Sequence, residues 1–358
     1  MKHFIEGYKH KIGVYEDVID GQVYQKLTSY ASENGSFPIS LYWHLDGAPA
    51  LKSTSLSIWQ IQSFIAQLPL NLRYSYKNII MSGLWFGKTK PDMDVFQAEF
   101  VEEVKSLQDG FHVDVAGTPG QQFKLTVVGQ VADLQAKAPS INFKLYNGKF
   151  GCSVCLHPGQ RMPGRGNKRI YPFSSNGFPR RKHADSIVHA QLAKNTGKEI
   201  FGIKGLSPVH EILQIPDMLL FDYMHQVLEG EYTRRLSKWL SDTCPSQVSL
   251  KQDKENLTKE LLSIKFPHDF KRKCRSLNEF HKWKASEKQV LFFHVGLPLL
   301  KQVLPPEYFY HHSLLFTGVR MLCEDKVTDV QVSVAEAMLS SYTRLLPILF
   351  GDYEATFN

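Results

Sequence analysis

Two aspartates and one pair of cysteines are the residues of this sequence best placed to do chemistry. Asp46 and Asp133 each stand at or just past the end of a run rich in β-branched and aromatic residues. Two carboxylates brought close together repel, and each raises the other's pKa unless a cation lies between them. Mg²⁺ prefers oxygen ligands and answers that need. Two such ions roughly 3.5–4 Å apart can activate an attacking hydroxyl and hold the leaving oxygen of a phosphodiester. Both aspartates also have a plain structural reading, since Asp-Gly after a strand is a common turn and Asp before a helix a common N-cap. Cys152 and Cys155 form a C-x-x-C in a glycine-rich stretch, the usual half-site for tetrahedral zinc. No second C-x-x-C follows. Cys244, Cys274 and Cys323 are scattered and read as buried or inert. An odd total of five cysteines argues against a disulfide framework, and no βαβ context supports a redox motif.

The elements that must position these groups are legible from the pattern. Weak strand signals lie around Val23 to Leu27. Ile39–Leu45, Ser57–Ile65 and Tyr76–Leu84 read as three successive strands, and Asp92 opens a helix to about Leu107 whose apolar residues recur at helical spacing. Asp109-Gly110 ends it. Phe123–Val131 reads as a fourth strand with Asp133 just beyond it, and Leu134–Ala138 as the start of another helix. If the first and fourth strands are neighbours, the two carboxylates meet. Three strands, a helix and a further strand open a ribonuclease-H-like α/β domain. From Leu145 to about Gly205 the apolar period vanishes under Gly, Pro, Arg and Lys, which predicts a loop-rich segment. From Ser207 onward helical periods dominate, over 218–240, 247–264, 277–303 and 327–349, with a break at Pro305-Pro306.

The motifs, taken in order, resemble those of the CACTA (En/Spm-like) DNA transposase family. The resemblance rests on Asp46-Gly-Ala-Pro-Ala-Leu-Lys-Ser-Thr with Trp59 and Ile61 following, Leu68-Pro69 with Arg73, and Gly83-Leu-Trp-Phe-Gly-Lys-Thr-Lys-Pro-Asp-Met93. It continues through Asp133-Leu-Gln-Ala-Lys-Ala, Asn147-Gly-Lys-Phe-Gly-Cys-Ser-Val-Cys155, Gly202-Ile-Lys-Gly-Leu-Ser207 and Asp222-Tyr-Met-His-Gln-Val-Leu-Glu-Gly230. It runs from about residue 15 onward. It implies a ribonuclease-H-like fold with an Asp, Asp, Glu metal site, in which Asp46 and Asp133 take the first two positions and hold Mg²⁺ or Mn²⁺. It also implies zinc at Cys152 and Cys155, with a downstream His pair as partners. His225 fits the family's Asp-x-Met-His motif and is a further candidate ligand, beside His183 and His210. The family's third carboxylate follows a His-rich stretch, and the expectation is that this chain stops before both. Glu229 and Glu231 are the internal substitutes to weigh; a Glu on a helix face is the plainer reading of each.

The charge balance, a formal +7 from 42 basic and 35 acidic residues, mildly favours a polyanionic partner. Arg161, Arg165, Lys168 and Arg169, then Arg180, Arg181 and Lys182, with Tyr171 and Phe173 interleaved, suit phosphate contacts. Lys271-Arg-Lys-Cys-Arg275 is a second cluster that could also serve nuclear import. Either run could equally be a solvated surface. No run of about 18 apolar residues suggests a membrane span, and the first residues lack an apolar signal core. The expected organisation is an N-terminal extension (1–37), a ribonuclease-H-like core (38–145), a zinc-knuckle-like Cys/Arg segment (146–206) and a helical insertion (207–358). The expected role is a nuclear, transposon-derived protein whose parent activity is metal-dependent DNA cleavage and strand transfer. In this chain that activity is expected to be lost. The alternatives are a non-enzymatic scaffold that binds DNA, another copy of itself or a full-length transposase, in the nucleus or the cytoplasm, and a remnant with no stable fold.

Overall fold

The computed structural model describes residue 8 and residues 10–33, 37–50, 55–115, 118–162, 168–241, 244 and 248–354. The chain is mixed α/β, with 47% helix, 19% strand and a curled mixed sheet. It divides into two compact units, one of Met1–Tyr171 with Asn176–Phe221, the other of Pro172–Ser175 with Asp222–Asn358. Residues 207–221 thus go with the first unit.

In the first unit, helix α1 (Gln22–Glu33) covers the stretch whose weak signals suggested a strand. Val23 and Leu27 are one helical turn apart and both pack on the core, so the period that matters is four and not two. Three antiparallel strands follow: β1 (Phe37–Pro49), β2 (Ser57–Ile65) and β3 (Ile80–Gly87). Helix α2 (Met93–Asp109) is capped by Asp92, whose carboxylate accepts the Asp94 N–H at 3.0 Å. It buries Phe100, Val101 and Val104 against the sheet and stops at Gly110, where φ is +112°. Strand β4 (Phe111–Val115) and the long strand β5 (Thr118–Ala132) form a hairpin, and β5 runs parallel to β1. The order is β3-β2-β1-β5-β4. Helix α3 (Leu134–Ser140) leaves the end of β5.

The segment after α3 contains a small hairpin, β6 (Gln160–Arg161) with β7 (Arg169–Ile170), and a full helix, α4 (His183–Thr196). The loop-rich segment expected here thus contains a helix that the pattern did not announce. Its buried positions are Ser186, Ala190 and Ala193, residues too small to register as an apolar stripe. A two-residue strand, β8 (Leu219–Leu220), pairs in parallel with Gln130 and Val131 of β5.

The second unit is helical. A π-helical stretch at Met224–Tyr232 leads into α5 (Thr233–Trp239), followed by α6 (Lys254–Ser263). The expected helix 277–303 is broken into a 3₁₀ turn at Leu277–Lys282, α7 (Ala285–Val290), a π turn at Leu291–Val295 and α8 (Gly296–Lys301). Pro298 explains the wide turn, because its ring lacks an N–H and would clash with a tight helical carbonyl four residues back. Helix α9 (Pro306–Leu322) begins on Pro306, whose missing N–H costs nothing at a first helical position. It runs antiparallel to α10 (Asp329–Phe350), with the Tyr308 hydroxyl donating to Leu349 O at 3.2 Å and His311 Nε2 lying 3.0 Å from Tyr342 O.

Candidate functional site

Asp46 and Asp133 converge because of strand register. Leu45 of β1 and Ala132 of β5 are fully buried parallel partners. Asp46 is the next residue on β1, and Asp133 is the first residue past β5, still extended as the cap of α3, so both follow a buried residue at the same level of the sheet. They line one open cleft of about 320 Å³, together with Ser57, Trp59, Lys90 and Gln135. Asp46 Oδ1 accepts the Gly47 N–H at 2.7 Å, and Asp133 Oδ1 accepts the Ala136 N–H at 2.6 Å as the cap of α3. Asp133 is therefore a helix cap and a cleft carboxylate together. The second oxygen of each aspartate has no partner among the described residues.

Gly47 is required by packing. A Cβ there would lie 2.4 Å from Cε2 of Trp59, its register partner on β2. The Trp59 ring thus forms a fixed wall, and Lys90 Nζ rests 5.4 Å from its centroid. Nothing in the sequence reading singled out Lys90; its place in the Gly83–Met93 motif was the only available signal. Residues 51–54 of the first motif lie outside the described residues. Arg73 of the Leu-Pro motif is structural: it is buried and bidentate to Asp17 at 2.6 and 2.7 Å.

The sulfurs of Cys152 and Cys155 are 3.6 Å apart. Two thiolates on one tetrahedral zinc, each about 2.3 Å from it, would sit about 3.8 Å apart, so the pair fits half a zinc site. The Cys152 thiol, the His157 backbone N–H and the Arg181 charge hold Cys155 down at about 6, against the opposing effect of burial. Cys152 is pushed up, by its bond to Cys155 and by burial. No cluster of three or more His, Cys, Asp or Glu suited to a metal occurs among the described residues. Two of the histidines weighed as partners are used locally: His183 Nδ1 accepts the Ile215 N–H at 3.2 Å, and buried His210 bridges Ser207 N and Ile141 O. Burial pulls His210 down to about 4, so it is neutral near pH 7. His225 belongs to the second unit, where its Nδ1 lies 2.6 Å from Asp222 Oδ2.

The basic stretch expected to meet phosphates divides. Arg181 is a correction: it is buried, with Nε donating to Cys152 O at 2.8 Å and Nη2 to Phe150 O and Phe201 O at 3.0 and 2.8 Å. Arg169 donates to Pro158 O and Gly159 O, Tyr171 to Gly148 O, and Arg180 pairs with Asp217 at 2.8 Å. Arg161 and Lys182 are exposed, and Arg165 lies outside the described residues. In the second cluster Lys271, Arg272 and Lys273 are exposed, while Arg275 is bound to Glu287. Glu229 and Glu231 are likewise engaged, Glu229 with Lys288 and Glu231 with Arg234, Arg235 and Tyr342. No helix among the described residues is long and apolar enough to cross a membrane.

Searched against models of known protein families and against curated proteins, the chain has no match.

Proposed function

We propose that this chain is the metal-binding core of a CACTA-like DNA transposase, with Asp46 and Asp133 as the first two ligands of its catalytic ion. The observation that carries the reading is the convergence of these carboxylates, distant in sequence, at the ends of adjacent parallel strands in one open cleft. The strand order supports the finer fold expectation. An antiparallel three-strand meander, a helix, a central parallel strand and a short further parallel strand, β8, are what a ribonuclease-H-like core would contain.

The donor set suits Mg²⁺ or Mn²⁺, since both ligands are carboxylates and each keeps one oxygen open to the cleft. When bound, such an ion supplies Lewis-acid activation of water and of the phosphodiester oxygens. Asp46 and Asp133 would hold it, and the backbone N–H on each Oδ1 fixes the direction of the other oxygen. Glu229 and Glu231 do not complete the set, because both are engaged with basic side chains of their own unit. Cys152 and Cys155 would hold zinc with further ligands. Exposed Arg161, Lys182 and Lys271–Lys273 supply phosphate contacts. DNA is the partner this reading implies, in the nucleus, with a second copy or a full-length transposase as a protein partner.

The chain by itself is expected to bind Mn²⁺ and DNA and to show no metal-dependent strand cleavage. Isothermal titration with Mn²⁺ should give a site lost in Asp46→Asn and in Asp133→Asn. Unchanged Mn²⁺ binding in both variants would overturn the reading. Robust Mg²⁺-dependent nicking, abolished by Asp46→Asn, would instead show that a third acid is supplied and that the chain is an active nuclease.

A further inference from the structure

The two edges of the first unit's sheet are built differently. Edge strand β4 is short and carries exposed His112 and Asp114. Short length and polar side chains are how proteins blunt an edge against pairing with another chain. Edge strand β3 reads Ile80-Met-Ser-Gly-Leu-Trp-Phe-Gly87, with no charged residue and no proline. Among the described residues it pairs on one side only, with β2. A bulge at Ser82 breaks the register near its start, so Gly83–Gly87 is the regular stretch. Trp85 packs inward on the core, and its Nε1 donates to Thr89 O at 3.3 Å, which fixes the end of the strand. Leu84 and Phe86 alternate with Trp85 and so lie on the other face, 63% and 61% exposed. The charges flank this edge: exposed Lys77 precedes it and exposed Lys88 follows it.

We propose that β3 is a docking edge that takes an extended segment of another protein as an added strand, apolar at alternate positions and acidic at its ends. The outward N–H and C=O groups of Gly83–Gly87 supply the ladder. The apolar side chains of the added strand extend the row of Leu84 and Phe86, and its acidic ends meet Lys77 and Lys88. Charge selects this occupant over a second copy of the chain. Antiparallel pairing of β3 with itself sets the lysine-bearing ends of the two strands beside each other, where like charges repel. The docking edge is separate from the Asp46/Asp133 cleft, which neither Leu84 nor Phe86 lines. A partner strand therefore binds without blocking that cleft.

The test uses the full chain at low ionic strength and a fluorescein-labelled peptide of alternating valine and threonine between two pairs of aspartates. Anisotropy should show saturable binding, and hydrogen exchange should slow at amides within Gly83–Gly87 when the peptide is bound. Leu84→Lys and Phe86→Lys should each weaken binding roughly tenfold or more. The double variant Lys77→Glu with Lys88→Glu should weaken it roughly tenfold and should prefer the same peptide with lysine ends. All four positions are exposed, so every variant should melt with the wild type. Binding that leaves exchange in β3 unchanged, or that survives both Leu84→Lys and Phe86→Lys, would overturn the proposal. So would the absence of saturable binding up to about 1 mM peptide. Dimers of the free chain in sedimentation, lost in Leu84→Lys, would assign the edge to a second copy and refute the acidic partner.

Discussion

The carboxylates of the first unit and Glu231 of the second are opposite solutions to placing negative charge in a folded chain. Asp46 and Asp133 are half-buried, each accepts one backbone N–H, and each leaves an oxygen open. Glu231 is enclosed: Oε1 accepts from Arg235 and Tyr342, and Oε2 from Arg234. Arg235 is buried in turn, with its guanidinium 4.0 Å from the Phe350 ring centroid. Although burial alone would raise it, the Arg234 and Arg235 charges hold Glu231 below the usual carboxylate range. A carboxylate saturated by cationic donors is a strut and has nothing left to offer a metal. One that keeps an open oxygen beside another of its kind is available. Partner saturation, more than residue type, separates the two roles.

The contrast can be broken most sharply at Glu231. Glu231→Gln should cost about 3 kcal/mol in urea unfolding, because it leaves buried Arg235 with only the longer 3.7 Å contact to Glu354 as countercharge; a loss below about 1 kcal/mol would place Glu231 with the cleft acids. A smaller effect should appear with pH. Burial pulls His311 down to about 4 and His312 to about 3, from 6.5. Their folded pKa values lie below the unfolded one, so their contribution is full above pH 6.5 and falls away as pH drops toward those values. Stability should therefore decline below pH 6.5 by about 1.4 kcal/mol per pH unit for each histidine, and His312→Leu should remove one histidine's share of that slope. Glu231, also depressed, adds a loss only below its ordinary 4.5. The smallest effect belongs to the cleft. Asp46→Asn and Asp133→Asn should change stability by less than about 1 kcal/mol, since both are partly exposed and asparagine keeps an oxygen for the cap. Melting curves of the two variants beside Glu231→Gln would sharpen the distinction.

Strands β1, β2 and β5 were legible because β-branched and aromatic residues recur where a pleated sheet needs them, and so were the two aspartates that follow β1 and β5. Lys90 was not, because a charged residue in a short loop leaves no periodic trace; only the fold shows that it faces the cleft. Helix α4 escaped notice because it buries serine and alanine, whose contribution is fit and not hydrophobic area. Arg181 misled in the other direction. In sequence it belongs to a basic run, yet its guanidinium points inward to three carbonyls. Charge counting registers that a cation is present and nothing about where its long side chain goes.

That inward guanidinium has a further consequence. By holding the carbonyls of Phe150, Cys152 and Phe201 together, Arg181 ties the cysteine loop to its flanks through protein bonds alone. The shape of the loop therefore depends on this one side chain, whatever else its cysteines hold. Shortening that residue to alanine would release three backbone segments at once.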